Sequence, residues 1–266
     1  RQCLAALASE NGLLRQLLLY RFEKGEGLRG HNLGNLILTA LEDLVGSEPE
    51  AIEAAAKIFR LKGKVLPISS QLVKLVAEYS TGKKIISEHN IETYKLKENE
   101  TIRKLYTTPK ASINPKAKKA INEADLIILA PGDLYNSIIT NLIISGTKKA
   151  IIQSKAKIAY IVNLMTLTSQ THNFTAKDHL NEIEKYIGRK VDNILLNNQP
   201  IPANIIKAYQ KLAEHPVQDD LSQDKRVVRQ ALLADSDYQK PKSDSLKRSL
   251  LRHDPNKLAK TIVNLV

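Results

Sequence analysis

The sequence predicts a doubly wound α/β protein built on a mainly parallel sheet. Three observations carry this. Short, unbroken, β-branched apolar runs recur through the second half of the chain, each is followed by a tight loop, and each loop leads into an amphipathic helix. A strand covered on both faces reads as a continuous apolar run because neither face meets water.

The parallel strands are expected at Leu126 to Leu129, Ile158 to Val162, Asn193 to Leu196 and between Arg226 and Leu232, with helices starting from Ser137, Thr175, Pro202 and Pro255. Upstream, Leu33, Leu36, Ile37, Ala40, Leu41 and Leu44 recur at helical spacing, and Pro49 opens a second helix running to about Leu61. Between Val65 and Ile91 the pattern shortens to Leu75-Val76-Ala77 and Lys84-Ile85-Ile86 around Thr81-Gly82, a β-hairpin and the one antiparallel element expected. No repeat or low-complexity tract interrupts this order.

A chain of 266 residues, 42% of them hydrophobic, can bury one large core, and a single domain over residues 1–266 is expected. The single cysteine, Cys3, excludes an internal disulfide and a cysteine zinc cage; it is expected to be buried and inert, in a reducing, cytoplasmic setting. No apolar run reaches the roughly 20 residues needed to span a bilayer. The chain opens on Arg1 without an initiator Met or signal peptide and reads as N-terminally truncated.

The net charge of +12 admits a nucleic acid or a polyphosphate as partner. Lysines such as Lys116, Lys118 and Lys119 alternate with acids such as Glu123 and Asp125, and are not set among aromatic rings. A nucleic-acid groove is therefore disfavoured against solvated surface charge.

Ligands of doubly wound sheets sit beyond the carboxyl ends of the strands, so the loops there are the candidate site. Ala130 to Ser137 turns through Pro131 and Gly132 into a helix whose first amides could meet phosphate, with Asn136 and Ser137 assisting and Asp133 opposing. Capping by Asp133 or Asn136, with Tyr135 packed on the helix flank, explains the same residues without a ligand. Asn163 and Thr166 offer neutral hydrogen-bonding groups for a ribose, base or sugar, while Met165 suits the core. Thr175 and Asp178 form a capping-box pattern. Gly30-His31-Asn32-Leu33-Gly34-Asn35 precedes an apolar helix, where the glycines allow close approach and His31 is either a hydrogen-bonding group or a turn residue. The apolar face of Ile138, Leu142 and Ile143 fits a core or a homo-oligomer contact equally. No Walker lysine motif, H-E-x-x-H or G-x-S-x-G occurs.

Seven segments in order resemble the gluconeogenesis-factor family, in the superfamily of 2-phospho-L-lactate transferase: RQCLAALA at Arg1, YRFEKGEGLRGHNLGNLILTAL from Tyr20, KVLPIS from Lys64, PGDLYNSIITNL from Pro131, NLMT from Asn163, FTAKDH from Phe174 and LRHDPNKLA from Leu251. The resemblance implies a Rossmann-like core and a cytoplasmic bacterial protein. Its implied ligand is a nucleotide diphosphate or UDP-sugar such as UDP-N-acetylglucosamine, bound by a non-catalytic regulator of carbon metabolism and cell shape that acts through a protein partner. The alternative it implies is a transferase moving a phospholactyl group onto a deazaflavin alcohol. Carried onto this chain, the pocket falls on Gly30, His31, Asn32, Gly34, Asn35, Gly132, Tyr135, Ser137, Asn163 and Thr166. Tyr209 offers a ring to stack on a base and Arg252 a fork for a diphosphate; packing of Tyr209 against the sheet and pairing of Arg252 with Asp254 are the structural alternatives.

The family's first strand, its Gly-rich loop and an acidic segment that could hold Mg2+ have no counterpart in this chain, and no residue present is assigned to a metal. Asp133 stands where the family has Ser, Thr140 where it has Pro, and Thr168-Ser169-Gln170 where it has Pro-Gly-Glu, which removes a carboxylate.

Overall fold

The structure, a computed structural model, describes residues 1–8, 12–97, 99–234 and 250–265. Where the sequence suggests one domain, the described backbone divides into two compact units: residues 1–70, and residues 71–234 with 250–265.

The first unit is helical: α1 (Gln2–Leu7), α2 (Leu13–Leu19), α3 (Leu33–Val45) and α4 (Glu48–Ile58). Leu4, Ala5, Leu18, Ala55 and Phe59 form its core. Asn32 caps α3 by accepting from the Asn35 amide at 3.1 Å, and Gly46, at φ 87°, ends it in the left-handed region. Ser47 caps α4, whose first turn also holds Pro49. Cys3, expected to be buried, is exposed on α1. In QCLAAL the buried positions are Leu4 and Ala5, and the cysteine falls on the opposite side of this short helix.

The second unit contains β1 (Lys74–Tyr79), β2 (Lys84–Ile86), α5 (Glu88–Thr93), β3 (Ile102–Thr108), α6 (Pro115–Glu123), β4 (Leu126–Leu129), a π-helix (Leu134–Ile139), α7 (Thr140–Leu142), α8 (Thr147–Gln153), β5 (Lys157–Ile161), α9 (Ala176–Ile187), β6 (Asn193–Asn197), α10 (Ala203–Gln210), β7 (Val227–Gln230) and α11 (Pro255–Val263). The hairpin of β1 and β2 forms as expected, with Val76 opposite Ile86. It gains an unforeseen third strand, β3, giving an antiparallel sheet of order β2-β1-β3. Ile102 and Leu105 are three residues apart, a spacing that does not read as a strand. A bulge at Glu78/Tyr79 shifts the register so that Ile102 opposes Tyr79 and Leu105 opposes Ala77, and all four reach the same core.

The parallel sheet runs β4-β5-β6-β7. Its strands alternate between two apolar layers. Ile158, Tyr160, Val162, Ile194 and Leu196 face the core shared with the π-helix and α9, whereas Ala159, Ile161 and Leu195 face Leu258 and Ile262 of α11. Burial on both faces explains the unbroken apolar runs. Ile138 and Leu142 are in the core and Ile143 packs against it.

The helix expected from Ser137 begins earlier and is π-wound. The amides of Ser137 and Ile138 both donate to Asp133 O, at 2.8 and 3.2 Å. Thr175 and Asp178 close the expected capping box on α9.

At the amino ends of the strands lies an ion network. Arg226 donates to Glu184 Oε1 at 2.7 Å, Asp224 Oδ2 at 2.6 Å and the Val191 carbonyl at 3.0 Å. Glu184 also accepts from Lys190 at 2.6 Å and the Val191 amide at 3.1 Å, and Asp192 accepts from the Ile158 amide at 2.8 Å. No described helix is long and apolar enough to cross a membrane.

Candidate functional site

An open cleft of about 410 Å³ lies beyond the carboxyl ends of β4 and β5. Four stretches line it: Pro131 to Asp133 after β4, Asn163 to Leu167 after β5, Tyr209 and Glu214 at the end of α10, and Leu251 to His253 with Pro255 and Leu258 at the start of α11. Its size falls in the range of small-ligand sites.

Backbone pairing holds the β5 loop in place. Thr166 and His215 bond reciprocally: the Thr166 amide donates to His215 O at 2.8 Å, and Thr166 Oγ1 accepts from the His215 amide at 2.9 Å. The Val217 amide donates to Leu164 O at 3.1 Å, and Met165 bridges Pro216. Asn163 Nδ2 donates to Gly132 O at 2.8 Å, tying the two strand-end loops together, while its Oδ1 is buried without a protein partner. Gly132 suits its place because a Cβ there would come within 3.1 Å of Ser137 Cβ.

The fourth wall is an antiparallel contact between residues 232–234 and 252–254. Ala234 donates to Arg252 O at 2.9 Å, Asp254 donates to Leu232 O at 2.8 Å, and Leu233 pairs with His253. Tyr209 braces it: the ring packs with Leu233 and Leu251, and the hydroxyl accepts from the Leu251 amide at 3.2 Å. Tyr209 thus both packs and lines the cleft. Arg252 is half-buried in the cleft wall. The Asp254 carboxylate caps α11, accepting from the Asn256 and Lys257 amides at 2.8 Å each.

Of the residues singled out from the sequence, Gly132, Asn163, Thr166, Tyr209 and Arg252 come together in this cleft. Tyr135 and Ser137 do not line it. The Tyr135 ring is buried, its hydroxyl donating to Glu182 Oε2 at 3.2 Å, and its amide is taken by Gln170 Oε1 at 3.1 Å, so this turn does not offer that donor to a phosphate. Burial, followed by the charge of Glu182, raises the Tyr135 phenol far above its ordinary range. Gly30, His31, Asn32, Gly34 and Asn35 belong to the first unit, where local structure accounts for most of them. Asn32 is committed through both side-chain ends, to Tyr20 O at 2.9 Å and the Asn35 amide. Gly30 takes φ 87°, and a Cβ on Gly34 would clash with the Leu18 carbonyl. His31 and Asn35 are exposed.

Two titratable residues of the cleft carry unusual environments. Burial, reinforced by Glu92 and Glu88, raises the Asp133 carboxyl above its ordinary range, and burial lowers His253 to about 4. His253 Nε2 is enclosed without a hydrogen-bond partner. His253 lay within the LRHDPNKLA segment but was not among the residues assigned to the pocket. The available signal was its place between a strand-like stretch and a proline-opened helix, which puts it beside Arg252. Among the described residues, no three His, Cys, Asp or Glu side chains converge as a metal site would require.

The family model of 2-phospho-L-lactate transferase CofD matches residues 1–235. The chain belongs to this family. It is 34% identical to the gluconeogenesis factor of Bacillus subtilis, covering 100% of this chain and 81% of that protein. A Nostoc relative bearing a provisional form of that name is 38% identical over 99% of this chain, which spans 56% of the relative's length. The fold is also that of a Bacillus halodurans crystal structure from the UPF0052 family, with a TM-score of 0.85, 32% identity, and 98% of this chain and 81% of the other covered.

Proposed function

We propose that this family member is a nucleotide-sugar-binding regulator of carbon metabolism, its ligand a UDP-sugar of the UDP-N-acetylglucosamine kind. The observation that carries the reading is one cleft at the carboxyl ends of parallel strands that sets Arg252 beside the Tyr209 ring, Thr166, and an Asn163 with an unpaired buried oxygen. A guanidinium suits a diphosphate, an aromatic ring suits a base, and an unpaired amide oxygen suits a hydroxyl donor. The gluconeogenesis-factor names of the relatives support carbon metabolism as the setting; gluconeogenic growth and cell shape are the outputs the proposal assigns to it.

Calorimetric titration with UDP-N-acetylglucosamine and with GDP tests the proposal. UDP-selective binding that weakens roughly 10- to 100-fold in Arg252→Ala, as expected for losing charge-assisted hydrogen bonds, upholds it. Preference for GDP sinks it.

A second reading, a phospholactyl transferase acting on a deazaflavin alcohol, is favoured by the family's own description and by Asp133, a cleft carboxyl held above its ordinary range as a proton-relaying group would be. Incubation with donor and alcohol should then yield the phospholactyl product. No product is expected under the regulator reading.

A further inference from the structure

His253 is the cleft residue that neither the packing nor the capping of the fold accounts for. Its backbone is pinned by the bridge to Leu233, so its position is set, while the side chain is half-buried in the cleft wall with Nε2 closed off from solvent and unpaired. A buried polar atom without a partner is a standing cost that an apolar replacement would remove.

We propose that His253 is a ligand-contacting residue of the cleft, its imidazole hydrogen-bonding a hydroxyl or carbonyl group of the bound nucleotide sugar while the neighbouring Arg252 meets the phosphates. The inference rests on the nucleotide-sugar reading of the cleft. Rotation about the soft terminal torsion of the imidazole turns Nε2 towards a ligand.

The chemistry of the ring fixes which ligand group it serves. Asp133, Glu214 and Arg252 line the same cleft, Asp254 caps α11, and Lys257 donates to the Leu233 carbonyl at 2.7 Å. Burial alone accounts for the lowered proton affinity of His253, without a carboxylate contributing. A neutral imidazole offers one donor and one acceptor, the complement of a hydroxyl or a carbonyl, and brings no charge to a phosphate.

The test compares His253→Leu and His253→Gln with the wild-type chain in calorimetric titration with UDP-N-acetylglucosamine, alongside thermal unfolding of the free proteins. Expected results are binding weakened about tenfold in His253→Leu, binding within about threefold of wild type in His253→Gln, and a Tm for His253→Leu equal to or above wild type. A purely structural role would instead lower Tm in both variants. That result, or wild-type affinity in His253→Leu, overturns the assignment. If the wild-type chain binds no UDP-sugar, the nucleotide-sugar reading fails first and the His253 inference falls with it. Wild-type binding with an insensitive His253 defeats the inference alone.

Discussion

The two ends of the parallel sheet treat polar groups in opposite ways. At the amino ends, Glu184, 8% exposed, accepts from Arg226, Lys190 and the Val191 amide, and Arg226 divides its donors among Glu184, Asp224 and a carbonyl. At the carboxyl ends, Asn163 Oδ1 and His253 Nε2 are buried with no protein partner. The same backbone thus carries a network closed by its own side chains at one end and an unfinished one at the other. Groups left unfinished cost stability in the free protein and become useful when a ligand completes them.

The sharpest way to break this contrast is at the closed end. Arg226→Met strips the buried Glu184, and Asp224, of their shared guanidinium and leaves only the exposed Lys190, among the described residues, to offset the Glu184 charge. The loss expected from denaturant unfolding is about 3 kcal/mol, with ligand affinity in the cleft unchanged. A second change reaches across to the open end: Asn163→Ala removes the tie to Gly132 O. It should cost ~1 kcal/mol of stability and also weaken UDP-sugar binding in the same calorimetric assay, a joint loss that no amino-end substitution gives.

A pH series separates the ends in a different way. His253 holds its proton less tightly folded, at about 4, than at its ordinary 6.5, so the unfolded chain binds more protons between those values. Its contribution to stability is therefore full above 6.5 and lost as pH falls towards 4, and His253→Leu should flatten the unfolding profile over that interval. Hydrogen bonds from Arg226 hold Asp224 below its ordinary 3.8; its contribution is present above 3.8 and lost only as pH falls further. Unfolding midpoints measured across pH would show the two losses in separate windows. A His253→Leu profile parallel to wild type between 6.5 and 4 would remove the contrast.

Local signals explain why much of the fold was legible. The runs at β4, β5, β6 and β7, the box of Thr175 and Asp178, and the proline-opened helices α4 and α11 are readable because neighbours within a few residues create them. β3 escaped because its two inward residues obtain a common face only from a bulge, in which Arg103 is left out of the pairing with β1. The π-helix depends on the Asp133 carbonyl accepting two amides, a geometry that resembles an ordinary helix start in the residue pattern. Cys3 was misjudged from the usual behaviour of its residue type, whereas the apolar contacts of α1 fall on Leu4 and Ala5.

The sequence by itself determined the α/β class, the strand-end loops that could carry a site, and the helix caps, because each is set by side-chain period or by short-range hydrogen bonding. Only the tertiary structure decided that Gly132, Asn163, Tyr209 and Arg252 share one cleft, that Tyr135 turns into the core, and that His253 is buried with an unpaired nitrogen. Those outcomes depend on which distant segments shut out water and which polar atoms they leave without a partner, and neither is encoded at the residue concerned.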